Sequence, residues 1–206
     1  GYHANRGGIR FRKALQKVKN ETKGFIPDAN YTQSVLEHSK QINDIEKYLI
    51  NVGEFYPHKD NKVKFFPNGE SFYPDIVEKI KNAKKFIFLE FFIIQIDESW
   101  AILLELLEEK VKEGVEVRVL YDAMGSIMVS SKSYLSSLHK KGIQAKIFLK
   151  LIPLFSTKLN SRDHRKIAII DGEVAYTGGL NIANEYFNIG ENRFSYWKDI
   201  AVRIEG

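Results

Sequence analysis

The sequence predicts an α/β layered domain, a largely buried sheet with helices packed over it. Three observations carry the prediction. From residue 62 onward, short strand-like apolar runs alternate with longer segments of helical period. Two of those helical segments stop at glycines, Gly114 and Gly142, as helices do. Near the C-terminus an Asp-Gly pair, Asp171-Gly172, separates two apolar runs as a hairpin turn would.

In chain order, residues 31–52 (YTQSVLEHSKQINDIEKYLINV) read as an amphipathic helix with Val35, Leu36, Ile42, Ile45, Leu49 and Val52 on one side. FYPHKDN (55–61) is a turn-rich link and marks a boundary, leaving 1–60 as a basic N-terminal helical and linker segment and 61–206 as the main domain. KVKFFP then predicts a short strand, SFYPDIVEKIKNAKK a helix, and FIFLEFFII (86–94), a continuous apolar run broken by Glu90, a buried strand. WAILLELLEEKVKEG is the next helix, VEVRVLYDA a strand, KSYLSSLHKKG a helix and QAKIFLK (144–150) a strand. LKLIPLFSTKLN (149–160) mixes apolar residues with lysine, which suits dipping into an interface or packing under the sheet.

The chain of 206 residues has no cysteine, which excludes disulfides, thiol catalysis and cysteine-bound zinc. Its formal net charge of +5 leans mildly toward anionic partners. Arg6, Arg10, Arg12, Lys13, Lys17, Lys19 and Lys23 face the single acid Glu21 in residues 1–24. That start is open to two readings, a solvated terminus or an interfacial segment. No run is apolar and long enough to span a bilayer.

The stretch DHRKIAIIDGEVAYTGGLN (163–181) carries the chemistry. A two-residue Asp171-Gly172 hairpin pairs residues whose numbers sum to 343, so Lys166 faces Thr177 and His164 faces Gly179. Facing residues share a face of the sheet, which gathers an imidazole and an ammonium over a glycine floor, with the amide of Asn181 just beyond. The combination suits attack on phosphorus. Imidazole is a nucleophile near neutral pH, while Lys166 and Asn181 stabilise charge on the non-bridging oxygens, with no metal or other cofactor called for. Asp171 has a sufficient structural reason to exist as the turn residue. Glu90 faces the cleft from a strand end or makes a structural pair; Arg162 and Arg165 flank the histidine, in reach of headgroups or in a solvated loop.

Read as H-x-K-x4-D-x6-G-G-x-N from His164 to Asn181, the stretch resembles the HKD signature of the phospholipase D superfamily. From about residue 62 onward, FPNGESFYPDIVEKIKNAKKFIFLEFFII, VRVLYDAMGS, RDHRKIAIIDGEVAYTGGLNIANEY and YWKDIAVRIEG are similar to bacterial cardiolipin synthases. The resemblance implies a phospholipase D-like layered domain, a mixed sheet flanked by helices after a small helical start, with 61–206 as the first of two HKD halves. It implies that His164, Lys166, Asp171 and Asp199 are catalytic: His164 becomes a phosphohistidine, and Asp199 in YWKDIAV supplies the carboxylate on the far imidazole nitrogen. Lys166, Asn181 and the Gly179 floor would take the phosphate, although many family members have Ser where this chain has Gly179. The partners implied are phosphatidylglycerol, a membrane surface on the cytoplasmic side reached through upstream anchoring helices, and a second HKD half or a homodimer. Two other readings stand beside transfer between two phosphatidylglycerols. One is a phosphodiesterase or homodimeric HKD nuclease; the other is an anionic-lipid-binding module without activity. The flanking similarity favours lipid over nucleic acid, which the motif alone does not separate.

Overall fold

The computed structural model describes residues 12–14, 16–18, 20–21, 40–53, 55–56, 58, 60–149, 162–190 and 195–206. The segment 149–160, apart from Leu149, and residues 31–39 of the expected first helix lie outside the described residues, as does most of the basic start. The chain divides into two compact units, Gly1–Asp60 and Asn61–Gly206. In the first, helix α1 (Lys40–Tyr48) runs into a wide turn at Leu49–Gly53. Ile45, Leu49 and Val52 are exposed there.

In the second unit β1 (Lys62–Phe66), α2 (Gly69–Lys81), β2 (Phe86–Phe91), α3 (Glu98–Lys112), β3 (Glu116–Asp122), α4 (Lys132–Lys140) and β4 (Gln144–Phe148) follow in order. Then come β5 (Ile167–Ile170), β6 (Val174–Gly178), a short 3-10 turn at Asn184–Phe187 and β7 (Ala201–Glu205). The seven strands form one sheet in the order β1-β7-β6-β5-β2-β3-β4. β2, β3 and β4 are parallel neighbours, joined through α3 and α4, and the remaining pairs are antiparallel. It is a mixed sheet in an α/β fold.

Caps move the helix starts two residues upstream of the apolar pattern. Asn68 accepts the Ser71 N–H at 3.0 Å and starts α2, and Asp97 accepts the Trp100 N–H at 3.1 Å and starts α3. Gly114 and Gly142 follow α3 and α4 with φ of 89° and 79°, the left-handed exit that glycine adopts without strain. Ile76, Ile80, Leu103 and Leu107 of α2 and α3 are fully buried with Ile87, Val117, Val119 and Ala168 of the sheet. Phe66, Phe72, Tyr176 and Phe187 interlock in this core, with Phe72 set edge-on to Phe66 and Tyr176 at 5.9 and 5.6 Å.

Two expectations need correction. The run FIFLEFFII is not buried on both faces, nor strand throughout: β2 stops at Phe91, and Ile87, Leu89 and Phe91 are buried while Phe86, Phe88 and Glu90 are only half-buried. An apolar composition does not reveal that one face lacks a full cover. The hairpin register is also shifted. Ile167 pairs with Thr177 and Ile170 with Val174, leaving Asp171, Gly172 and Glu173 in the loop, so the pairing sum is 344. Asp171 and Gly172 do take left-handed φ of 58° and 77°, and the Glu173 N–H does close on the Ile170 carbonyl at 3.1 Å. Glu173 is an extra residue on the returning strand, and one residue of slip moves Thr177 and Gly179 to the opposite face from His164 and Lys166.

Candidate active site

The signature spreads along β5 and past both its ends. Arg162 to Lys166 enter the strand extended, held partly by their own neighbours and partly by Asp122 at the end of β3. The Asp163 N–H is donated to Asp122 Oδ2 at 3.1 Å, and the Arg165 N–H to Asp163 Oδ1 at 3.3 Å. Lys166 Nζ is donated to the His164 carbonyl at 2.6 Å. The His164 side chain is left exposed, its ring 4.7 Å from that of Phe92 at a tilt of 51°.

Lys166 is the opposite case, only 5% exposed. Its ammonium sits 5.2 Å over the Phe92 ring. Burial pushes its pKa down, and the charges of Asp199 and Asp163 pull back against that without cancelling it. A buried lysine with one carbonyl partner has donors to spare for an incoming anion.

Asn181 is also buried, just past β6; its Oδ1 accepts the Ile93 N–H at 2.9 Å, and its side chain hydrogen-bonds the Tyr186 phenol. Tyr186 in turn meets the edge of Trp197 at 4.6 Å. The two glycines before Asn181 are demanded by close approach rather than by φ. A Cβ on Gly178 would strike the Ile200 carbonyl, and one on Gly179 would strike the Asp199 carboxylate.

Asp199 therefore sits down on Gly179, its Oδ1 accepting its neighbour Ile200's N–H at 2.8 Å. It makes no hydrogen bond to His164; the group whose pKa its charge raises is Lys166. The imidazole–carboxylate pair that the resemblance implies is not formed in this structure. The space a serine β-carbon would take at Gly179 is where the carboxylate lies.

Asp171 is not at this end of the strand. It stands at the far end of β5, seven residues from His164 and roughly 20 Å away at strand spacing. Its carboxylate accepts the N–H groups of Lys84, Lys85 and Phe86 at 2.8, 2.7 and 2.9 Å. Burial opposes its ionisation, but the N–H groups of Lys85, Phe86 and Lys84 and the Lys85 charge outweigh it and hold the carboxyl below its ordinary range. These contacts give Asp171 a scaffold role at the end of β5 away from His164.

Glu90 and Arg165 meet. Arg165 Nη2 lies 2.8 Å from Glu90 Oε1, out of line for a hydrogen bond, while its Nε is donated to Asp163 Oδ1 at 2.9 Å. Burial first, then Asp163, raise the Glu90 pKa against the pull of Arg165. Asp163 is held low: burial opposes its ionisation, and Arg165 and Glu90 more than offset that. Arg162 is engaged too, with Nη1 3.2 Å from Asp122 Oδ1 and 3.3 Å from the Leu149 carbonyl. Asp163, Asp122, Ser126 and Phe92 are the residues that sequence reasoning passed over; the only signal was the D-x-x-G-S that ends VRVLYDAMGS.

An exposed imidazole and a buried ammonium thus share the Phe92 ring, and the next residue, Ile93, holds the buried Asn181 amide; imidazole, ammonium and amide are groups suited to a phosphoryl centre. Comparison with known proteins agrees in kind. Residues 76–201 match the family described as "Cardiolipin synthase, PLD-like domain". An uncharacterized protein of Streptococcus mutans is 44% identical over 95% of this chain and 43% of its own length. A cardiolipin synthase of Staphylococcus aureus is 33% identical over 95% of this chain and 39% of its own. This chain thus spans less than half the length of these relatives. A phosphatidylserine synthase structure from Haemophilus influenzae shares the fold, with a TM-score of 0.52 at 22% identity over 70% of this chain and 33% of that one.

Proposed function

This chain belongs to the cardiolipin synthase, PLD-like domain family, and we propose that it supplies one half of a phosphatidyl-transfer site working at a membrane surface on phosphatidylglycerol. The observation that supports this most is the pairing of an exposed His164 with a buried Lys166 and Asn181 on adjoining strand ends. An imidazole nitrogen of His164 attacks the phosphorus of one phosphatidylglycerol, and the bond from phosphorus to the glycerol oxygen breaks. The glycerol alkoxide takes a proton from an acid and leaves, with the phosphatidyl group on His164. The terminal hydroxyl of a second phosphatidylglycerol, its proton removed by the same group, then attacks phosphorus and frees the histidine as cardiolipin forms. Lys166 and Asn181 hold the non-bridging oxygens in both steps. Asp199, resting on Gly179, reaches the imidazole only if it turns on substrate binding.

The acid is the reason for calling this a half-site. A good leaving group needs a second positioned proton donor, and this sequence carries one HKD signature. We read the second as the histidine of another HKD half, which the length of the relatives leaves room for, or of a second copy of this chain. Labelled phosphatidylglycerol vesicles test the reading. Cardiolipin and free glycerol should appear in equal amounts, and per-molecule activity of the 206-residue chain should collapse on dilution and return with the missing half. Phosphatidic acid alone would point to a phosphodiesterase, cleavage of single-stranded DNA to a nuclease, and binding without turnover to a lipid-binding module.

A further inference from the structure

The end of β3 and the loop after it grip the segments on both sides of His164. Asp122 is completely buried. Its Oδ1 accepts the N–H of Met124 at 2.8 Å and of Gly125 at 3.4 Å, together with the Arg162 guanidinium at 3.2 Å. Its Oδ2 accepts the Asp163 N–H at 3.1 Å, the residue immediately before His164. Four residues on, Ser126 Oγ accepts the Ile94 N–H at 2.9 Å and donates to the Phe92 carbonyl at 3.0 Å. Between them Gly125 lies so close to that same carbonyl that a Cβ would collide with it. Phe92 carries the ring that stands beside His164 and beneath the Lys166 ammonium. The next residue, Ile93, gives its N–H to Asn181.

We propose that Asp122 is a positioning residue: one buried carboxylate fixes the backbone in front of His164 through Asp163 and, through its own loop, the Phe92 ring beside it. The inference rests on the reading of His164 as the nucleophile. A carboxylate is required because donors converge on both of its oxygens. Asparagine offers one oxygen, so its amide would face either the Asp163 N–H or the Arg162 and Met124 donors, and one of the two grips must open. An imidazole displaced by about an ångström from its line of attack loses on the order of 100-fold in rate.

The test is Asp122→Asn, read in two ways. In the active assembly, formation of the phosphatidyl-histidine in a single turnover should slow about 10- to 100-fold, with the KM for phosphatidylglycerol within about twofold, because geometry changes and binding does not. By NMR on this chain, the His164 ring protons should lose the ring-current shift that Phe92 gives them while core resonances stay in place. Ser126→Ala keeps the carboxylate and loosens only Phe92; it should weaken the same shift, and it carries the test if Asp122→Asn does not fold. Wild-type rate with unmoved His164 resonances in the folded variants would overturn the proposal. A His164→Asn control that still forms the intermediate would overturn the nucleophile reading instead, while the NMR comparison still decides whether Asp122 positions the ring.

Discussion

The two ends of β5, marked by His164 and Asp171 seven residues apart, are built to opposite rules. At the Asp171 end the carboxylate is used up, with three backbone N–H groups on it and a turn whose φ values suit Asp and Gly. At the His164 end the imidazole is exposed, and a lysine is buried against a carbonyl where no carboxylate hydrogen-bonds it. The first arrangement satisfies its charge within the fold; the second buries a cation whose pKa is pushed down by that burial. On the proposed function one signature contains a scaffold half and a chemical half, and substitutions at its two ends should separate stability from turnover.

The sharpest separation is expected at Lys166. Lys166→Met should cost about 100- to 1,000-fold in turnover, the range for removing an electrostatic stabiliser, while the thermal midpoint at neutral pH holds or rises. The pH dependence follows from the lowered pKa. Between the folded value and the ordinary lysine value the unfolded chain binds more protons than the folded one, so wild-type stability rises with pH across that window. Melting curves against pH should show that rise in the wild type and not in Lys166→Met.

Asp171→Ala should do the reverse. Loss of a carboxylate accepting three N–H groups should destabilise the fold by about 2–3 kcal/mol by denaturant titration, with turnover per folded molecule within about twofold. Because the folded Asp171 pKa lies below the ordinary value, its contribution is fully present above the ordinary Asp range and lost as pH falls through the folded value. The acid limb of the stability curve should be flatter in the variant.

A smaller effect sharpens the chemical end itself. Gly179→Ser, which installs the residue many family members carry, places a Cβ where the Asp199 carboxylate lies. It should cost about 1 kcal/mol from overpacking, and a double-mutant cycle with Asp199→Ala should recover most of that. Additive costs would show that Asp199 does not rest on this glycine.

Much of this was legible because it is local. Helix ends follow from Asn68, Asp97, Gly114 and Gly142, and His164 and Lys166, two apart in one extended segment, share a face whatever the register of the hairpin. The one-residue slip was not legible, since Asp-Gly announces a turn but not whether Glu173 pairs. Nor was the one-sided burial of FIFLEFFII, because a continuous apolar run does not tell which face is covered. The hold of Asp122 was not legible either, because its partners Arg162 and Asp163 lie about 40 residues on in the chain, beyond the reach of any spacing rule. Asp199 shows the opposite failure, a position matched by resemblance whose side chain rests on Gly179 rather than on the histidine.

The division between the two ends is tested most directly by trapping the covalent intermediate. Wild type, His164→Asn and Asp171→Asn would be incubated in the active assembly with phosphatidylglycerol labelled in its phosphate, quenched in base, and the label on protein counted per folded molecule. The account predicts label on the wild type and on Asp171→Asn at comparable levels, released by acid as a phosphorus–nitrogen bond should be, and none on His164→Asn. Label persisting on His164→Asn, or vanishing from folded Asp171→Asn, would contradict it.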